Sequence, residues 1–145
     1  LTRAELNTVR GYNLVPFTEI FRYKIGSQAF LMNVVGNIVI FIPFGYLIST
    51  YIKPKRILTI LIVSVISSGT VEFVQLCIGR SFDVDDIILN SLGAIIGFLI
   101  YVALNAIKKY LPGIFAKDII YNILCLIILI IMVLYLLSRM GVNIL

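Results

Sequence analysis

Histidine is absent from these 145 residues, which excludes a His-based catalytic triad and any His-ligated metal site. Tryptophan is absent too, so the eight tyrosines must supply any aromatic belt at a membrane surface. Charge is scarce: Asp, Glu, Lys and Arg make up 13% of the chain, about half of the roughly 25% usual in soluble domains. Acid is scarcest, with seven Asp and Glu against twelve Lys and Arg, for a net charge of +5. The two cysteines, Cys77 and Cys125, lie inside apolar runs without metal-type spacing, and the simplest expectation is two buried thiols.

What fills the chain is hydrocarbon. Hydrophobic residues make up 61% of it and the mean hydropathy is +1.09. A soluble chain this short cannot hide so much apolar surface, whereas a bilayer does not require it to be hidden. The basic residues gather at the ends of the apolar runs, as flanks that orient membrane helices do; no nucleic-acid partner is expected. The length fits one domain, residues 1–145. The chain starts at Leu1, so a preceding segment is expected.

Residues 1–27 are mixed in character. Pro16 biases Val15 away from helical geometry, so Asn13 to Phe17 reads as extended. Thr18 is placed to cap a short helix. Phe17, Ile20, Phe21 and Ile25 share its apolar face and Glu19 and Arg22 the other, a pattern for a helix lying in the membrane interface. Four spans follow, at about 28–52, 57–79, 84–107 and 118–137, each near the 20 residues that cross a hydrocarbon core. Pro43 predicts a kink in the first. The fourth is almost wholly Ile and Leu and reads as a lipid-facing support. The fold class is therefore all-α, a polytopic transmembrane helical bundle.

The polar residues of the spans are clustered. Four of the seven acids, Glu72, Asp83, Asp85 and Asp86, lie between residues 72 and 86, with Gln75, Arg80 and Asn90 around them. Glu72 sits about 10 Å inside the second span at 1.5 Å per residue. A carboxylate there is costly against lipid, so it is expected to face the bundle interior or a water-filled pocket. Asp83 or Asp85 is a plausible N-cap for the third span. Asp86, Asn90, Gly93 and Gly97 form one stripe on that span, with Gly93-x-x-x-Gly97 allowing another helix to approach closely. Asn33 and Asn37 share a face of the first. The connectors at 53–56 and 108–117, the latter turning at Pro112-Gly113, hold six Lys or Arg and no acid, whereas the Arg80–Asp86 turn holds three Asp and one Arg. The positive-inside rule then places the connectors in the cytoplasm and that turn outside. With this orientation three helices bring their polar stripes to one outward-facing pocket.

The pattern resembles the VanZ-like family of bacterial membrane proteins. The resemblance is carried by Asn13-Leu14-Val15-Pro16-Phe17, by Asn33-x-x-Gly36-Asn37 with Phe41-Ile42-Pro43-Phe44-Gly45, and by Glu72-x-x-Gln75. It continues through Arg80-Ser81-Phe82-Asp83-x-x-Asp86 and Asn90-x-x-Gly93-x-x-x-Gly97, covering about residues 13–101. It implies a fifth helix ahead of the Asn-Leu-x-Pro-Phe segment. It also implies an association with low-level resistance to teicoplanin-type glycopeptides. Asn33, Asn37, Glu72, Gln75, Arg80, Asp83, Asp86 and Asn90 are the positions it carries over as functional. The leading expectation is a non-enzymatic binder without cofactor in the cell membrane. Its ligand would be a membrane lipid, a lipid-linked cell-wall intermediate or a lipoglycopeptide antibiotic. Arg80 would take an anion and the carboxylates amines or sugar hydroxyls. The alternative is a hydrolase or transferase acting on a phospholipid or polyprenyl phosphate, with Glu72, Asp83 and Asp86 as catalytic candidates holding Mg²⁺ or Ca²⁺. A proton-coupled transporter using Glu72 is a third reading.

Overall fold

A computed structural model of the chain describes residues 11–77, 79–110, 113 and 117–139. Residues 1–10 of the expected interfacial segment, and Pro112 of the expected turn, lie outside them. In chain order the elements are β1 (Tyr12–Asn13), α1 (Thr18–Arg22), α2 (Gln28–Ile52), α3 (Ile57–Cys77), β2 (Phe82–Asp83), α4 (Val84–Lys108) and α5 (Asp118–Arg139). By length and apolar composition α2, α3 and α4 are each able to cross a membrane. The last helix, α5, has a shorter described apolar part, Asp118–Ile131. The chain is thus an all-α, multi-pass membrane protein, with one two-residue parallel ladder pairing Tyr12 with Phe82 and Asn13 with Asp83.

The bundle is built on the crossing of α2 and α4, where glycines let the backbones touch. A Cβ at Gly45 would lie 2.1 Å from the carbonyl oxygen of Ala94, and one at Gly97 2.1 Å from that of Ile42. Gly93 meets the carbonyl of Ile38 in the same way. The Gly93–Gly97 stripe therefore packs on α2, and Gly45 answers it from the other side. Against α4 lies a polar seam of α3, in which Ser64, Ser68 and Glu72 are buried at intervals of one helical turn. Asn90 donates from α4 to the Ser68 hydroxyl at 2.8 Å. α5 packs on α2, where the Cys125 thiol donates to the Pro43 carbonyl at 3.6 Å, and Lys108 pairs with Asp118 across the connector. Its Ile and Leu side chains are mostly exposed, as a lipid-facing helix requires.

Several local expectations change. α2 carries Pro43 within its α-helical part, and it also contains an unexpected π turn at Leu31–Val35, where the Gly36 N–H reaches back to the Leu31 carbonyl. The described part of α3 runs from Ile57 to Cys77. Gly79, at φ 84, makes a left-handed turn that sends the Arg80 N–H back to the Gln75 carbonyl at 2.9 Å. Cys77 is exposed and Cys125 half-buried, because an apolar run does not reveal which of its faces meets protein. Thr18 does not cap α1: its hydroxyl donates to the Val15 carbonyl, and Phe17 occupies the cap position without using its side chain.

Candidate functional site

The polar residues at one end of the bundle are ordered by four carboxylates, each with a different local role. Asp83, in extended conformation just before α4, accepts the Asp85 N–H at 2.9 Å and so caps that helix. The cap frees Asp85 to turn back toward α1. One Asp85 oxygen accepts the Phe17 N–H at 2.5 Å, and the other accepts the N–H groups of Glu19 (2.7 Å) and Ile20 (3.2 Å). A carboxylate more than sixty residues away thus caps a helix that has no side-chain cap of its own. Asp85 is 1% exposed. Asn13 donates to Asp83 at 3.1 Å and, through its oxygen, receives the Val15 N–H. Together with the β1–β2 ladder, these bonds fix residues 11–22 over the turn between α3 and α4.

Beneath that segment lies a cavity of about 300 Å³. Asn13, Glu19, Arg22 and Tyr23 contribute from the N-terminal segment, Asn33 from the π turn of α2, Gln75 from α3, and Arg80, Asp83, Asp85 and Asp86 from the turn and the start of α4. Arg22 is paired with Glu19 at 3.0 Å. Arg80, exposed, makes no ion pair or side-chain hydrogen bond among the described residues. Burial pushes the Asp83 carboxyl above its ordinary value, partly countered by the Asp85 N–H and the Asn13 amide. Burial, reinforced by Glu19, pushes the Tyr23 phenol upward.

Residues 2–108 match the family described as VanZ/LLP1. The chain belongs to the VanZ/LLP1 family. Protein VanZ of Enterococcus faecium is 31% identical over 94 residues, which are 63% of this chain and 53% of that protein. The chain spans about half the length of this curated relative. No solved structure matches it.

The structure sorts the expected VanZ-like site residues into two groups. Asn33, Gln75, Arg80, Asp83 and Asp86 line the cavity. Glu72, Asn37 and Asn90 stand behind it. Glu72 is 1% exposed and accepts the Asp83 N–H at 3.0 Å, rather than a side chain of α2 or α4. Asn37 donates to Asp86 at 2.5 Å, and Asn90 is bonded to Ser68. Asn33 and Asn37 serve different purposes although they are four apart, because the π turn between them takes an extra residue per turn; the Asn33 amide also back-bonds to the Ala29 carbonyl. The sequence reading missed Glu19, Arg22 and Tyr23 as cavity residues and Asp85 as the group that holds α1 in place. No sequence signal pointed to Asp85, because Thr18 reads as the cap of α1 and only the structure shows its hydroxyl turned to the Val15 carbonyl instead.

Proposed function

We propose that this protein binds a lipid-linked cell-wall intermediate or a lipoglycopeptide antibiotic in the cavity, outside the cytoplasmic membrane, and thereby lowers susceptibility to teicoplanin-type drugs. The observation that carries the reading is a polar cavity at the end of three apolar helices, lined by Arg80, a guanidinium with no ion pair among the described residues. A ligand with a polar head and an acyl tail has both halves accommodated at such a level. Membership of the VanZ/LLP1 family supports the link to glycopeptides. The carboxylates favour binding over metal-assisted chemistry. Among the described residues no three acidic or cysteine side chains are placed to hold one ion.

The test is expression in a susceptible host, with teicoplanin and vancomycin compared. The native chain should raise the inhibitory concentration of teicoplanin more than that of vancomycin. Arg80→Ala and Glu72→Gln should abolish the effect at equal membrane abundance, and Ile128→Leu on α5 should be silent. Resistance that survives Arg80→Ala would remove the cavity from the function.

A further inference from the structure

We infer that the cavity takes a zwitterionic headgroup, an ammonium beside a phosphate or carboxylate, with the anion on Arg80 and the ammonium on Asp83 and Asp86. The inference rests on reading this cavity as a ligand site and adds the chemistry of the ligand. The charges in the lining do not balance: Arg22 and Arg80 face Glu19, Asp83, Asp85 and Asp86. Two of the six are satisfied by each other, Arg22 with Glu19. Asp85 has both oxygens occupied by backbone N–H groups of α1. Arg80, Asp83 and Asp86 remain.

Asp83 spends one oxygen, Oδ1, on Asn13 and the Asp85 N–H, and Asp86 spends Oδ1 on Asn37. The second oxygen of each has no hydrogen bond among the described residues, and Arg80 comes within 4.0 Å of neither carboxylate. Opposite charges therefore face one cavity without closing on each other. A simple anion on Arg80 would meet two uncompensated carboxylates, and a simple cation on those carboxylates would meet Arg80. A ligand carrying both signs in adjacent positions satisfies all three groups with charge-assisted hydrogen bonds. About 300 Å³ is room for such a headgroup.

The experiment measures binding to purified full-length protein in detergent. The probes are dihexanoyl phosphatidylethanolamine, dihexanoyl phosphatidylglycerol and soluble O-phosphoethanolamine. The ethanolamine lipid should bind at least about tenfold more tightly than the glycerol lipid, since the ammonium adds a charge-assisted bond. Asp86→Asn, which can still accept from Asn37, should erase that preference. Arg80→Gln, an exposed change outside the helices, should weaken both lipids. Binding of O-phosphoethanolamine would mean that the headgroup suffices, so a soluble source also qualifies. Binding of the lipid alone would make the acyl chains part of the ligand. Equal affinity for the two lipids that still falls with Arg80→Gln would leave a ligand cavity but remove the zwitterion. Binding of none of the three probes would overturn the inference, while the antibiotic test of the cavity reads out separately.

Discussion

At Phe17 the backbone adopts φ 67, a left-handed conformation that costs a non-glycine residue about 1–3 kcal/mol. The Asp85 carboxylate offsets that cost by taking the Phe17 N–H and two more from α1. Asp85→Ala should therefore release α1 and destabilise the fold by about 1.5–3 kcal/mol, the range for hydrogen bonds to a charged group. Amide exchange should accelerate at Phe17, Glu19 and Ile20 before it does along α4; unchanged exchange there would show that Asp85 is not the anchor. Asp83 has a pH signature. Its folded pKa is raised above the ordinary 3.8, chiefly by burial. The folded state thus holds the proton more tightly than the unfolded one, and this contribution to stability falls as pH rises through the window from 3.8 to the raised value. Asp83→Asn keeps a competent cap and should flatten that part of the stability profile in a denaturation series; an unaltered slope would assign it to other groups.

The helices act mainly through how closely they cross. A methyl at Gly97 would fall 2.1 Å from the Ile42 carbonyl and 2.7 Å from the Tyr46 nitrogen, both backbone atoms that cannot swing aside. Gly97→Ala should separate α2 from α4 and cost about 1–3 kcal/mol or more, seen as a loss of folded protein in a detergent denaturation series. Gly69 on α3 is the contrast, since its nearest neighbour would be the Ile87 Cδ1 at 4.0 Å. Gly69→Ala should be neutral, or stabilising by about 0.5–1 kcal/mol through reduced backbone freedom. Equal effects at the two positions would rule out close crossing as the reason for glycine at 97. The Gly93-x-x-x-Gly97 stripe was legible in the sequence. Its partner Gly45 was not, because register between two helices is decided by packing. The π turn was invisible for a related reason: one extra residue in a turn leaves the apolar character of the segment unchanged.

For the molecule as a whole, the proposed orientation puts the Arg80–Asp86 turn outside the cell and the Lys-rich connectors inside. Ser81 is exposed. Ser81→Cys, with Cys77 and Cys125 replaced, should react with an impermeant thiol reagent in intact cells; labelling only after lysis would turn the cavity to the cytoplasm. Phe21 and Ile25, 82% and 84% exposed beside the start of α2, suit a segment resting in the lipid interface on that same side. The sequence by itself determined that the chain is helical and membrane-spanning, with four of its seven acids gathered from the last part of α3 to the start of α4. These properties follow from hydropathy, periodicity and charge, all of which are local. Only the tertiary structure decided what each acid does. Glu72, Asp83, Asp85 and Asp86 lie within fifteen residues, yet they hold respectively a turn amide, the N-terminus of α4, α1 and Asn37. Hydrogen-bond partners are chosen by which backbone donors the fold leaves unsatisfied nearby, and for Asp85 those donors lie more than sixty residues away.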